Sequence, residues 1–374
     1  MKVLILTLST GQGHIQTAKA INEEFKKYSI KSEVLDLYKF LSPFLSDSVE
    51  KGYLLSSRYT PKLYGAIYDS LMNRKHKDGK NSFVTLLNNV LSSQKLRGIL
   101  EDYKPDAVIS THPFCATVMT HMKKIISKAV NVGIITDFTI HPFWEETDMD
   151  YYVTASHLLD HQCVTRGIPK EKILPMGIPI AEKFTKKMSK DDACSLLGIK
   201  NKTTILFMMG SMGYGNIPLM ISRIDRLNYD FQLICVCGRN KTALKKTQSL
   251  EFKHNVYVHG FVDNVDIMMD ASDFIITKPG GLSMSESLAK GLPAILVKPI
   301  PGQENRNLEF FLNNGIASAV SKSFPIDEAV YQMLYNEWKF ENAKDGVTYI
   351  GKPYAARDLC EFLIEKVGDK NESN

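Results

Sequence analysis

The sequence predicts an α/β protein of two domains, each built on a parallel sheet with helices on its faces. Three observations predict it. The chain has 374 residues, more than one domain usually holds. Hydrophobic residues make up 44% and charged residues 23%, a balance that supports a large core and argues against disorder. Short apolar runs alternate with segments of helical period, the pattern of β–α–β units and parallel sheets.

In the first half the apolar runs predict strands at Val3–Leu8, Ser32–Leu37, Ala107–Ser110, Val132–Thr136, Tyr151–Thr154 and Lys172–Pro175. In the second half they predict strands at Thr203–Met209, Phe231–Cys237, Val256–His259, Phe274–Thr277 and Ala294–Val297. Each half is thus a candidate Rossmann-like domain. Between them Met176-Gly177-Ile178-Pro179-Ile180 and the polar stretch from Lys183 to Lys190 read as a linker. Near the end Ala356, Leu359, Phe362, Leu363 and Val367 recur at helical spacing, so a last helix is expected to pack back on the first domain. The domains are placed at 1–180, completed by a helix at about 352–370, and at 181–350.

The remaining bulk features exclude several classes. A net charge of +5 is too weak by itself for a nucleic-acid binder. Six scattered cysteines form no C-x-x-C pair, so buried, reduced thiols are expected, not a metal centre or a disulfide framework. The apolar start runs directly into a glycine motif and reads as a first strand, not a leader. No apolar stretch of 18 residues occurs, so membrane contact is expected to be peripheral.

The first glycine motif, Ser9-Thr10-Gly11-Gln12-Gly13-His14, lies between a strand and a helix whose apolar stripe is Ile15, Ala18, Ile21 and Phe25. Glycines there let backbone approach a ligand, and the helix N-terminus offers N–H groups to negative charge. The third glycine of the dinucleotide fingerprint is missing, which argues against a dinucleotide cofactor. His14 stands at the carboxyl edge of the sheet, where open α/β sheets bind ligands.

The strongest motif runs from Ile275 to Leu288. An apolar strand ends at Thr277, and Lys278-Pro279-Gly280-Gly281 makes a tight turn. Ser283 and Glu286 have the spacing of a capping box. The alternative puts a diphosphate on the turn and helix N-terminus, with Glu286 accepting from both ribose hydroxyls. One strand later comes Pro301-Gly302-Gln303-Glu304 with Asn307, whose polar side chains suit a sugar.

These motifs, with Thr136-Asp137-Phe138, His141, Trp144, Met176-Gly177-Ile178-Pro179, Gly210-Ser211 and Val236-Cys237-Gly238, resemble the bacterial processive diacylglycerol β-glucosyltransferases and the plant monogalactosyldiacylglycerol synthases. The resemblance covers most of the chain. It implies the GT-B fold, two Rossmann-like domains with parallel sheets facing across a cleft, and a metal-free, inverting transfer of a hexose from a UDP-sugar to diacylglycerol, with no cofactor. It implies that the first domain holds the lipid and the second the UDP-sugar. By position, Gly13, Gly210, Ser211 and Gly238 approach the nucleotide, Phe261 and Val262 cradle the uracil, and Thr277, Lys278, Gly280, Gly281 and Ser283 bind the diphosphate. Glu286 takes the ribose, and Gln303, Glu304 and Asn307 face the hexose.

The attacking hydroxyl must lose a proton near neutral pH. His14 and Asp137 are the candidate bases, with Asp137 also able to orient His14 or His141. Asp148-Met149-Asp150 is a D-x-D, but it lies in the acceptor half and reads as a solvated pair and not as a metal site. The stretch from Tyr38 to Leu100 combines aromatic residues, among them Phe40, Phe44 and Tyr59, with the basic residues Arg74, Lys75 and Lys77. With Trp144 these suit an acceptor and membrane surface on anionic lipid. The implied partners are UDP-glucose or UDP-galactose, diacylglycerol and an anionic membrane, with no nucleic acid. The implied location is cytoplasmic, peripheral on the inner face of the cell membrane. Two other readings fit the nucleotide motif: a UDP-N-acetylglucosamine 2-epimerase, which needs no lipid, and a non-catalytic nucleotide-sugar sensor, which needs no base.

Overall fold

The computed structural model describes residues 1–9, 12–41, 94–297, 299 and 302–372. Phe44, Tyr59, Arg74, Lys75 and Lys77 lie outside the described residues, as do Thr10 and Gly11. The chain divides into two compact units, one of Met1–Glu182, Ile300–Gln303 and Tyr354–Asn374, the other of Lys183–Pro299 and Glu304–Pro353.

The first unit holds β1 (Lys2–Thr7), β2 (Lys31–Asp36), β3 (Ala107–Ser110), β4 (Val130–Ile134), β5 (Tyr151–Val153) and β6 (Ile173–Leu174). They form one six-stranded sheet in the order β2-β1-β3-β4-β5-β6, parallel throughout. Among the described residues its helices up to Thr165 are α1 (Gln12–Lys27), α2 (Leu37–Leu41), α3 (Gln94–Tyr103), α4 (Pro113–Met122) and α5 (Asp160–Thr165). Every residue of β3 and β4 is buried, Ser110 and Asn131 included, so neither strand alternates between a buried and an exposed face. Helices cover both faces of such a sheet.

The second unit holds α6 (Lys190–Leu197), β7 (Thr204–Met208), α7 (Ile217–Ile224), β8 (Gln232–Val236), α8 (Lys241–Gln248), β9 (Asn255–His259), α9 (Val265–Asp270), β10 (Phe274–Thr277), α10 (Gly281–Lys290), β11 (Ala294–Leu296), α11 (Gln303–Asn313, less Gln303), β12 (Ala317–Ala319), α12 (Ile326–Tyr335) and α13 (Glu337–Ile350). Its sheet is also six-stranded and parallel, in the order β12-β11-β10-β7-β8-β9. Eleven strands lie where apolar runs predict them, within a residue or two. β12 is the addition: Ala-Ser-Ala has no apolar run to announce it. The polar stretch from Lys183 belongs to this unit and is not a free linker, since Lys190 pairs with Asp273 at 2.7 Å and Lys183 with Asp266 at 3.2 Å.

The last helix, α14 (Ala355–Glu372), returns to the first unit. Leu359, Cys360, Leu363 and Val367 join Ile21 and Phe25 of α1 in one buried cluster with Val3, Ile5 and Ile109. Tyr151 meets Phe362 edge-on at 4.9 Å, and Tyr28 donates to Glu361 at 2.9 Å. All six cysteines are free and buried. Among the described residues no helix is long and apolar enough to cross a membrane.

Candidate active site

In an open parallel sheet, ligands bind beyond the carboxyl ends of the strands where the strand order reverses. The first sheet reverses between β1 and β3, the second between β7 and β10. The predicted glycine turns follow β1 and β10, so each sits at its sheet's reversal.

At the first reversal, His14 lies in the opening turn of α1 and faces the end of β3. Its Nδ1 is 2.7 Å from the Thr111 carbonyl oxygen and 3.0 Å from Thr136 Oγ1. A carbonyl only accepts, so Nδ1 carries the hydrogen and Nε2 keeps its lone pair. Thr111 is itself fixed, its N–H donating to Leu6 O at 3.0 Å and its hydroxyl to Thr7 Oγ1 at 2.9 Å. Burial lowers the His14 pKa below 6.5, opposed in part by the Thr111 bond, so the ring is neutral at neutral pH. The result is a held imidazole with a proton-accepting nitrogen, the form a general base needs.

Asp137 does not directly follow its strand, as the predicted run Val132–Thr136 would have it. β4 stops at Ile134, and Asp137 stands in the bend that follows, half-buried. Thr136, one residue before it, is the member of this loop bonded to His14. Trp144 requires a correction. It is 3% exposed and therefore not a membrane-facing residue. The turn Pro142–Trp144 folds the indole onto Gly133 of β4, where a Cβ would come within 2.6 Å of Trp144 Cζ3, and edge-on to Tyr152 at 6.2 Å. Phe40 lies half-buried in α2.

The D-x-D carboxylates are engaged within the unit. Asp148 pairs with Lys123 at 2.6 Å and Lys172 at 3.2 Å, which hold its carboxyl below the usual range. Asp150 accepts from the Asn131 N–H at 2.8 Å.

At the second reversal, α10 starts at Gly281, with Gly280 as its N-cap and no side chain capping it. This overturns the capping box. Ser283 is the third residue of the helix and Glu286 the sixth, too far along to reach the cap. The first-turn N–H groups have no intrahelical acceptor, and the first turn carries no acidic residue, so the end is electropositive. Thr277 Oγ1 is buried here without a partner among the described residues. Lys278 pairs with Glu304 at 2.5 Å, and a Cβ on Gly210 would touch the Lys278 Cε at 2.9 Å. The turns after β7 and β10 therefore lie against each other. Asn307, expected to face the hexose, is wholly buried, and its amide donates to Pro279 O at 3.0 Å. It clamps the turn. Gln303 groups with the first unit and not with Glu304.

The turn after β7 locks to the turn after β8. Arg239 N–H donates to Ser211 O at 2.8 Å, and Gly238, with φ 56°, lies so close that a Cβ would fall 2.4 Å from that oxygen. α7 begins only at Ile217, so Ser211 sits in a loop and not at a helix N-terminus. Phe261, 58% exposed, follows β9 with Val262 beside it, and the Arg239 guanidinium lies 5.0 Å over its ring. Nothing but the place of Arg239 after Cys237-Gly238 signals this in the sequence.

Glu286 projects from α10 with part of its surface open. Burial nevertheless raises its pKa from 4.5 to about 8, with Lys183 lowering it and Asp266 raising it. Among the described residues no donor is hydrogen-bonded to this carboxyl. A desolvated acceptor without donors, beside an electropositive helix end, fits a ligand that brings both hydroxyls and negative charge.

Comparison with known proteins agrees with this division. The monogalactosyldiacylglycerol (MGDG) synthase family matches residues 14–180, and the glycosyltransferase family 28 C-terminal domain matches residues 204–343. The chain is 29% identical over 372 residues to a processive diacylglycerol beta-glucosyltransferase of Bacillus cereus, covering 97% of this chain and 93% of that one. The crystal structure of MurG from Acinetobacter baumannii superposes with a TM-score of 0.63 at 13% identity, covering 98% of this chain and 100% of MurG. A UDP-GlcNAc 2-epimerase from Neisseria meningitidis superposes with a TM-score of 0.61 at 17% identity, covering 98% and 100%. At these identities the two structures establish the fold, which is GT-B, and nothing finer. One half of the chain is thus matched by the MGDG synthase family and the other by the glycosyltransferase family 28 C-terminal domain, and nearly the whole chain is similar to a processive diacylglycerol beta-glucosyltransferase.

Proposed function

We propose that the protein transfers a hexose from a UDP-sugar to the free hydroxyl of diacylglycerol, with inversion at the anomeric carbon. The observation that carries the chemistry is the His14 imidazole, neutral and held with Nε2 as the acceptor. The lipid hydroxyl gives its proton to Nε2 as its oxygen bonds to the anomeric carbon. The bond from that carbon to the diphosphate oxygen breaks, and its electron pair leaves with UDP. The α10 N-terminus, Lys278 and the turn at Gly280 and Gly281 stabilise that negative charge, Phe261 stacks on uracil, and Glu286 accepts from the ribose. Glu304, beside Lys278, supports hexose recognition.

Asp148 is paired with Lys123 and Lys172, and Asp150 takes the Asn131 N–H with Lys123 3.9 Å away, so this reading assigns the leaving-group charge to the helix end and Lys278, with no metal ion. Transfer should then survive EDTA. Diacylglycerol stays in the bilayer, so the enzyme works at a membrane surface, on the cytoplasmic side that supplies UDP-sugars. The epimerase reading shares the fold, yet the MGDG synthase match to the first unit favours a lipid acceptor. The test is incubation with radiolabelled UDP-glucose or UDP-galactose and diacylglycerol vesicles, followed by lipid chromatography. Label in a glycosyldiacylglycerol is expected, and the preferred sugar names the donor. Absence of lipid product with both donors would refute the reading.

A further inference from the structure

The tripeptide His-Pro-Phe occurs twice, at His112-Pro113-Phe114 after β3 and at His141-Pro142-Phe143 after β4. β3 and β4 are neighbours in the sheet. Both copies do the same thing. Each histidine is the N-cap of the helical turn that follows, and its Nδ1 accepts the N–H of the phenylalanine at 3.1 Å. Histidine is an unusual choice, since Asn, Asp, Ser and Thr are the favoured caps. An imidazole that accepts at Nδ1 in its neutral form carries its hydrogen at Nε2. The cap therefore sets the tautomer.

For His112 this matters because of its neighbour. Its ring stands edge-on to His14, with centroids 4.7 Å apart. Burial, with His14 and then His141 adding to it, holds His112 well below 6.5, so it remains neutral with the tautomer the cap dictates. Side by side are thus one imidazole whose free nitrogen accepts and one whose free nitrogen donates. Among the described residues the His112 Nε2–H has no partner.

We infer that His112 is a second binding residue of the acceptor site, donating from Nε2–H to an ester carbonyl of the diacylglycerol whose hydroxyl His14 deprotonates. The inference rests on the acceptor reading given above. The neighbouring ester stands on the carbon next to the one that bears the attacking hydroxyl, so a donor adjacent to the base can reach its carbonyl oxygen and recognise an acylated glycerol in register. The pairing distinguishes an ester lipid from its ether analogue, which has no carbonyl.

The test uses the full-length protein and two acceptors, dioctanoylglycerol and the matching dialkyl ether. His112→Asn keeps an accepting cap while removing the Nε2–H, whereas His112→Ala removes both. Wild type should prefer the ester by about tenfold in kcat/KM, the value of one hydrogen bond. His112→Asn should lose that preference through a higher KM for the ester, melt within about 2 °C of wild type, and bind UDP unchanged. His112→Ala should melt lower by roughly 2–4 °C, as loss of a cap predicts. A purely structural His112 gives the opposite: full ester preference in His112→Asn. Imidazole NMR tests the same claim without turnover. The His112 ring should show hydrogen at Nε2, shifted by the ester and not by the ether. A hydrogen at Nδ1, or a shift blind to the ester, overturns the inference. If the wild type transfers to neither lipid while that shift is seen, the function proposed above fails and the binding role stands.

Discussion

Glu286 offers the sharpest quantitative test of the nucleotide site. Its carboxyl is carried from 4.5 to about 8 by burial within α10 and its surroundings. The folded protein therefore prefers the protonated side chain, and the unfolded chain does not. Below pH 4.5 the group is protonated in both states and contributes nothing. Between 4.5 and about 8 the folded state must hold a proton the unfolded state has lost, and the destabilisation grows until it is complete above about 8. At about 1.4 kcal/mol per pH decade the full interval corresponds to roughly 5 kcal/mol. Because part of the side chain reaches solvent, we expect about half of that, on the order of 2–3 kcal/mol. Glu286→Gln removes the ionisation and keeps the shape. Urea unfolding should find the two proteins matched below pH 4.5, with the Gln variant gaining steadily to about pH 8. UDP reverses the preference, because two ribose hydroxyls donate to the ionised form. Wild-type affinity should fall by up to tenfold for each pH unit below about 8, with proton release in calorimetry. The terminal phosphate of UDP titrates nearby, and the Gln variant isolates that contribution. Equal pH slopes for the two proteins, in unfolding and in binding, would refute the placement of Glu286 under the ribose.

His14→Gln should lower transfer by about 10²–10⁴-fold while UDP affinity stays within twofold, measured by lipid chromatography and calorimetry. Burial lowers the His14 pKa, so the wild-type rate should fall only as pH drops through a midpoint below 6.5, where the base becomes protonated. Gly238→Ala drives a Cβ to 2.4 Å from Ser211 O at a φ of 56° and should cost about 1–3 kcal/mol in denaturant unfolding, with weaker UDP binding. Lys290→Met strips the charged partner from Asp270, whose side chain is 7% exposed and 2.5 Å from Lys290 Nζ, leaving it the Met188 N–H at 3.3 Å, and should cost about 3–5 kcal/mol, read as a lower Tm.

The sheets were legible because parallel strands buried on both faces read as plain apolar runs. β12 was not, since Ala317, Ser318 and Ala319 are held by their neighbour β11 and not by their own hydrophobicity. His14 was legible as a candidate base, but its tautomer was not. The hydrogen is held on Nδ1 by the Thr111 carbonyl, 97 residues away in sequence, and no local pattern announces that pairing. Trp144 was misread for the opposite reason. An aromatic side chain suits a lipid surface and a core equally well, and only the missing side chain at Gly133 decides for the core.

The capping box shows how a correct spacing can carry the wrong cause. Ser and Glu three apart fit a helix start, but they fit every later turn of a helix as well. The start itself was set by Pro279-Gly280-Gly281, where Gly280 takes the extended cap conformation with no side chain to offer. An uncapped N-terminus and an interior glutamate without a donor are two local expenses for stability at one end of one helix. Natural sequences break local rules of this kind chiefly where a ligand restores the balance. A nucleoside diphosphate supplies the two missing things at once, negative charge for the helix end and paired hydroxyls for the carboxylate. The failure of the stability rule, more than the motif, is what supports the proposal that the donor binds at α10.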